Sequence, residues 1–232
     1  QEEIKKAIEF SIASQGWFLF AKVMPSAIEL FHNLENSLPL IPMSFTGDYR
    51  RKVEILEQVD IIIAAKNQDV LETIKALEYE FDINQETQKI SFKDQNGIPF
   101  AITISNTDAY AKDLLLSTGT DEHIKKLESL GEIKELPTEK EIYKSLGLEY
   151  IEPELREGGN EIKLAQQNKL PELITYDDLK GSLHNHSTYS DGVHSLSDMA
   201  TYCKEELGLQ YLGICDHSKT AVYARGLTVE KV

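Results

Sequence analysis

The sequence predicts an α/β fold in two unequal parts, and three observations carry that expectation. The run Val59-Asp60-Ile61-Ile62-Ile63-Ala64-Ala65 is dense in β-branched residues and lies between segments whose apolar side chains recur at helical spacing. From Leu136 to Leu179 the chain turns polar and is punctuated by Pro137, Pro153, Gly158-Gly159 and Pro171. After Lys180 a fresh strand–helix–strand pattern opens.

Taken in order, residues 2–13 and 22–36 are expected as helices. Ile4, Ala7, Ile8 and Ile12 share one face, and Ala27, Leu30, Phe31 and Leu34 share another. Trp17, Phe18 and Phe20 between them are expected to pack. A turn is predicted at Phe45-Thr46-Gly47-Asp48, leading into the basic pair Arg50-Arg51. The strand at 59–65 is followed by an amphipathic helix over 68–78, with Val70, Leu71, Ile74 and Leu77 on one side. Two strands, 89–92 and 99–105, turn at Asp94-Gln95-Asn96-Gly97. Helices follow at 109–117 and 123–130 around Ser117-Thr118-Gly119-Thr120, and a short one at 139–146. The remainder up to 177 is expected as a linker. Beyond it come a strand at 181–187, a helix at 196–207 and a strand at 211–215.

The chain has 232 residues, 41% hydrophobic and 27% charged, which suits globular domains with a real core. Its apolar runs are far too short to span a bilayer, and its first residues lack a signal-peptide apolar stretch, so a cytoplasmic protein without membrane contact is expected. Two cysteines, Cys203 and Cys215, require no disulfide framework. The net charge of −15 opposes a strong grip on nucleic acid, which rests on phosphate contacts. The first residue is Gln1, which fits an internal fragment.

Gly47-Asp48-Tyr49-Arg50-Arg51, followed by Asp60 in an apolar strand, resembles the palm signature of family-X DNA polymerases. That signature is Gly-Ser-x-x-Arg, a strand carrying Asp-x-Asp, and a third Asp on a later strand. Carboxylates are needed because two Mg²⁺ ions, which prefer oxygen ligands, must be held together for nucleotidyl transfer. On this alignment the first Asp falls at Gln58 and the third at Ala101, leaving Asp60 alone. The phosphate-binding Ser falls at Asp48, whose charge would repel a triphosphate. Gly47, Arg50, Arg51 and Gly119 take the positions of nucleotide or DNA contacts. Ser117-Thr118-Gly119, Ile142-Tyr143-x-x-Leu146-Gly147-Leu148 and Ile151-x-Pro153-Glu154-Leu155-Arg156-Glu157 are similar to the family's thumb in the same order. The resemblance implies a nucleotidyltransferase-type palm whose polymerase site is degenerate and inactive, with Mg²⁺ only if it were active.

The second motif is His184-Asn185-His186-Ser187-Thr188-Tyr189-Ser190-Asp191-Gly192, followed by Gly213-Ile214-Cys215-Asp216-His217. Strand alternation would turn His184 and His186 to one face, and two imidazoles with a carboxylate can hold a transition-metal ion. Asp216 is expected to orient His217 or cap the following turn rather than bind metal, and His194 to be surface or supporting. Lys219 and Arg225 read as solvated charges, and Tyr189 as equally suited to packing or to lining a site. The two motifs resemble the first two of the PHP (polymerase and histidinol phosphatase) superfamily. The resemblance implies that His184, His186, Asp191 and His217 are ligands for Zn, Mn or Fe, in the opening strands of a (β/α) barrel. Its further ligands, a Glu, two His and an Asp-x-His, are expected beyond residue 232.

The expected organisation is a helical fingers remnant (1–45), palm and thumb (46–150), a linker (151–177) and the truncated start of a PHP domain (178–232). The implied function is DNA repair, with metal-dependent 3′–5′ exonuclease or phosphatase chemistry confined to an intact PHP domain. DNA is the implied partner, held weakly by this chain. The alternative is a non-catalytic DNA-binding or docking scaffold derived from a polymerase palm.

Overall fold

A computed structural model describes residues 16–84, 87 and 89–231, together with Lys5. The helix expected over 2–13 lies outside the described residues but for Lys5. The chain divides into two units, Gln1–Leu170 and Pro171–Val232.

The first unit is built on a five-stranded sheet of order β2-β4-β7-β6-β5. Its strands are β2 (Met43–Thr46), β4 (Val59–Ile63), β5 (Phe81–Asn84), β6 (Lys89–Lys93) and β7 (Pro99–Ile104). Only β4 and β7 run parallel. Period-two alternation gives the sheet two unlike faces. Ile61, Ile63, Ile90, Phe92, Phe100 and Ile102 are buried in one cluster with Val23, Ala27, Leu30 and Leu34 of α1 (Phe20–Ser37) and Val70 and Ile74 of α3 (Asn67–Ala76). Each of the Val, Leu, Ile and Phe side chains contributes about 1.5–3 kcal/mol on burial. The other face carries Asp60, Ala101, Ser91 and Lys89.

Between β2 and β4 lies a single helical turn, α2 (Gly47–Arg50), and the short β3 (Ile55–Leu56), which pairs with β1 (Phe18–Leu19). Tyr49 of α2 stacks on Phe20 and tilts against Phe45, with ring centroids 4.8 and 4.4 Å apart, which seats the turn on α1. Phe18 and Phe20 pack on the core as expected, but Trp17 is 53% exposed. The strands β2 and β5 were not expected. Met-Ser-Phe-Thr and Phe-Asp-Ile-Asn are too short to show a period, and pairing with β4 and β6 supplies what pattern does not.

A second cluster gathers Leu115 of α4 (Tyr110–Thr118), Leu127 of α5 (Asp121–Leu130), and Ile142 and Tyr143 of α6 (Glu139–Ser145). Thr120 and Thr138 start α5 and α6 by accepting the backbone N–H of His123 and Glu141, respectively. The segment expected as linker is only partly one. Ile151, Ile162 and Ala165 are buried in this same cluster, and α7 (Glu161–Gln166) forms there. The Pro and Gly residues at 153–159 shape a tight, packed turn rather than a solvated tether, so residues 151–170 belong to the first unit.

His123 is fully buried in this cluster, between Glu161 Oε1 and Tyr143 Oη, each 2.8 Å from a ring nitrogen. Burial is the largest influence and outweighs Glu161, holding the imidazole below its ordinary 6.5. It is therefore neutral, with Nδ1–H donating to the carboxylate and Nε2 accepting from Tyr143. Below pH 6.5 the unfolded chain binds a proton that the folded one refuses, so stability falls as pH drops through that value. Urea midpoints at pH 5.5 and 7.5 should differ in the wild-type chain, and His123→Gln should reduce the difference.

The second unit opens with the 3₁₀ turn Tyr176–Asp178 and continues through β8 (Gly181–Asn185), α8 (Leu196–Glu205) and β9 (Tyr211–Ile214), with β8 and β9 paired in parallel. Among its described residues, Ala224 is the only buried apolar side chain, and α8 buries none. Leu183, Val193 and Tyr211 are exposed. No helix among the described residues is long and apolar enough to cross a membrane.

Candidate metal centre and the palm face

On the polar face of the palm sheet, Asp60 pairs in register with Ala101 of β7, and Ala101 with Ser91 of β6. Gln58 Nε2 donates to Asp60 Oδ1 at 2.8 Å. Gln58, Asp60 and Ala101 are thus neighbours, as the three carboxylates of the palm signature would be. A cation already sits there: Lys89 Nζ lies 2.8 Å from Asp60 Oδ1. Lys89 was missed in the sequence, although pairing the hairpin about residues 94–97 brings the exposed face of β6 alongside Ala101. Gly47 adopts φ +57°, and a Cβ there would come within 3.3 Å of Asp60 Oδ2.

Arg50 and Arg51 are engaged within the protein. Arg50 forms a two-pronged pair with Glu139, at 2.9 and 2.6 Å, and donates to Thr118 Oγ1 at 2.8 Å. Arg51 meets Asp48 at 2.5 Å, Glu157 at 2.7 Å and the Thr118 carbonyl at 2.7 Å. Lys52 continues the series, 2.7 Å from Glu154. Three consecutive cations of the palm therefore meet three carboxylates from residues 139–157. Gly119 ends α4 against His123, where an added Cβ would fall 2.8 Å from ring Cδ2.

Glu139 is shared by a second arginine. Arg156, 0% exposed, places Nη1 2.6 Å from Glu139 Oε1 and donates Nε to the Ile151 carbonyl at 2.9 Å. Its guanidinium lies over Tyr143 and Tyr150, 5.2 and 5.4 Å from the ring centroids. Burial works to raise the Glu139 pKa, but the two arginines outweigh it and hold the carboxyl below its ordinary value. Half-buried Tyr110 is pushed up to about 12, chiefly by desolvation.

In the second unit, one ligand-capable atom each from His186, Asp191 and His217 lie within 4.8 Å of one another. Asp191 bridges the imidazoles, with Oδ1 3.3 Å from His186 Nδ1 and Oδ2 3.5 Å from His217 Nε2. The rings of His186 and His217 are 4.6 Å apart. His184 stands beside this trio, its ring 5.3 Å from that of His186, but is not among the three. Simple alternation does not describe it: β8 is irregular between Ser182 and Asn185, and His184 has φ +64°. Gly192 is required sterically, since a Cβ there would fall 2.0 Å from the His186 carbonyl oxygen.

The donor set suits a transition-metal ion, and one observation favours such an occupant. His186 Nδ1 is shielded from solvent and makes no well-directed hydrogen bond, although Asp191 Oδ1 lies 3.3 Å away. Two imidazole nitrogens and a carboxylate would hold Zn, Mn or Fe. Asp216 accepts from the Ser187 backbone N–H and from the Ser187 and Ser190 hydroxyls, so its carboxylate caps the loop after β8 rather than bonding the His217 ring or the turn that follows it. Desolvation works to raise its pKa, but these bonds hold it below the ordinary value. Tyr189 and His194 are exposed, as are Lys219 and Arg225.

Comparison with known proteins agrees with this architecture. Residues 127–157 match the family model of the DNA polymerase beta thumb. They span the end of α5, all of α6, and the turn carrying Arg156. The whole chain is 30% identical, over a 257-residue alignment, to the DNA polymerase/3'-5' exonuclease PolX of Bacillus subtilis (strain 168). It spans 44% of that relative's length. These matches support a family-X polymerase-like protein with a nucleotidyltransferase-type palm and thumb.

Proposed function

We propose that the chain is part of a DNA-repair protein whose palm is a polymerase scaffold without a working two-metal site, and whose second unit contributes ligands to a PHP-type phosphoesterase centre. The observation that carries this reading is the convergence of His186, Asp191 and His217, with the solvent-shielded Nδ1 of His186 making no well-directed hydrogen bond. A bound divalent ion would supply a Lewis acid and an activated water for phosphodiester cleavage. The residues of this chain would hold that ion, with His184 beside it. The exposed apolar residues of β8, β9 and α8 fit the opening βαβ of a larger barrel, completed elsewhere.

Two features support an inactive palm. Gln58 and Ala101 provide no anionic ligand, and Lys89 neutralises the remaining Asp60. The engagement of Arg50, Arg51 and Lys52 with Glu139, Glu157 and Glu154 also favours a scaffold role for this unit, with DNA held through other surfaces. Primer extension with Mg²⁺ or Mn²⁺ should give no incorporation. Extension that disappears on Asp60→Ala would overturn the reading of the palm. Equilibrium dialysis against Zn²⁺ or Mn²⁺ should show binding that His186→Ala/His217→Ala removes, and binding unchanged in that variant would overturn the reading of the second unit.

A further inference from the structure

Asp216 lies next to His217 in sequence, yet both of its carboxylate oxygens are taken by protein donors. Oδ1 accepts from the Ser187 backbone N–H at 2.8 Å and from Ser190 Oγ at 2.6 Å. Oδ2 accepts from Ser187 Oγ at 2.5 Å. Ser187 and Ser190 are buried, so these bonds lie away from competing water. Ser187 follows His186 directly, Ser190 precedes Asp191, and Asp216 precedes His217. One carboxylate thereby ties together the chain neighbours of all three residues of the trio.

The loop itself is closed around this clasp. Gly192 N–H and Ser190 N–H both donate to the Ser187 carbonyl, and Thr188 N–H donates to that of His194. Asp191 stays half exposed, yet its backbone is fixed by the residues on either side. Apart from the clasp, the loop after β8 meets the end of β9 through backbone pairing and through the contacts of His217 with Asp191 and with the His186 ring.

We propose that Asp216 is a positioning residue: through Ser187 and Ser190 it sets the spacing of His186, Asp191 and His217, and it is not itself a metal ligand. The proposal rests on the metal-centre reading above. Supporting partners of this kind typically change metal affinity by about 10–100-fold.

The test is a Co²⁺ titration of the whole chain, read by visible absorption. The wild-type chain should bind Co²⁺ with ligand-field bands that His186→Ala/His217→Ala lacks. Ser187→Ala/Ser190→Ala, which leaves every histidine and carboxylate in place, should weaken binding about 10–100-fold and shift the bands. Asp216→Ala should do the same, and Asp216→Asn, which keeps an acceptor oxygen, should fall between. Wild-type affinity and spectrum in the serine variant would overturn the proposal. Tighter binding there would also overturn it, since freeing the carboxylate would then have created a ligand. A wild-type chain that binds no more Co²⁺ than the histidine variant would instead overturn the metal-centre reading, and the positioning role with it.

Discussion

Replacing Glu139 by alanine should lower the stability of the first unit by about 3–5 kcal/mol, the usual cost of leaving a buried charge without its partner. Arg156 is fully buried, and Nη2 has no hydrogen-bond partner even in the intact protein. Without Glu139 its guanidinium keeps only the Ile151 carbonyl and the faces of Tyr143 and Tyr150. Arg50, partly exposed, can turn to water, so most of the cost falls on Arg156. Glu139→Gln, which preserves shape and some hydrogen bonding, should cost less than Glu139→Ala. Glu154→Ala, breaking a pair whose lysine is largely exposed, should cost no more than about 1 kcal/mol. Urea unfolding of the three variants at pH 7 checks the ranking, and a small loss in Glu139→Ala would show that Arg156 finds another partner. The Glu139 carboxyl is held below 4.5, so its contribution is present above that value and lost as pH falls through the depressed pKa. Wild type and Glu139→Ala should therefore converge in stability on acidification.

The regular elements were legible where a period had room to show itself. The helical faces of 22–36 and 68–78 and the β-branched run from Val59 each span several turns or pleats, and the structure has α1, α3 and β4 there. Function-bearing contacts were harder, because most are decided by partners far away in sequence. Arg50-Arg51 reads as a phosphate grip when only its neighbours are known. Glu139 and Glu157 lie 89 and 106 positions further on, and nothing local announces that they turn the pair inward. The same holds for His123, which looks like a helix-surface residue until Glu161 and Tyr143 enclose it. The histidine motif was more legible because a strand, a short loop and a parallel crossover bring its members to one end of a sheet. His184 departs from that logic at one point: a left-handed backbone replaces alternation, and the ring still ends beside His186.

On the function proposed above, placing carboxylates at positions 58 and 101 should make the site beside Asp60 metal-dependent. Ala101 is directly opposite Asp60 on a parallel neighbour, and Gln58 already touches Asp60, so Gln58→Asp/Ala101→Asp would crowd three carboxylates together. Ala101 is buried, and a carboxylate there next to Asp60 is costly unless a cation compensates. Lys89 can compensate only in part, because one ammonium already pairs with Asp60 and is itself partly solvated. The double variant should therefore melt below the wild-type chain in EDTA and recover with Mn²⁺. A free Mn²⁺ concentration about 100 times the dissociation constant would return about 2.7 kcal/mol. Adding Lys89→Met should deepen both the loss and the recovery, since the internal cation then no longer competes with the metal. The comparison is made with His186→Ala/His217→Ala in every chain, so that Mn²⁺ acting on the second unit does not enter. If Mn²⁺ raises the melting temperature of the parent chain as much as that of the double variant, Gln58 and Ala101 are not what keeps metal from the palm. If it raises neither, the strand register around Asp60 does not bring the three positions close enough to share an ion.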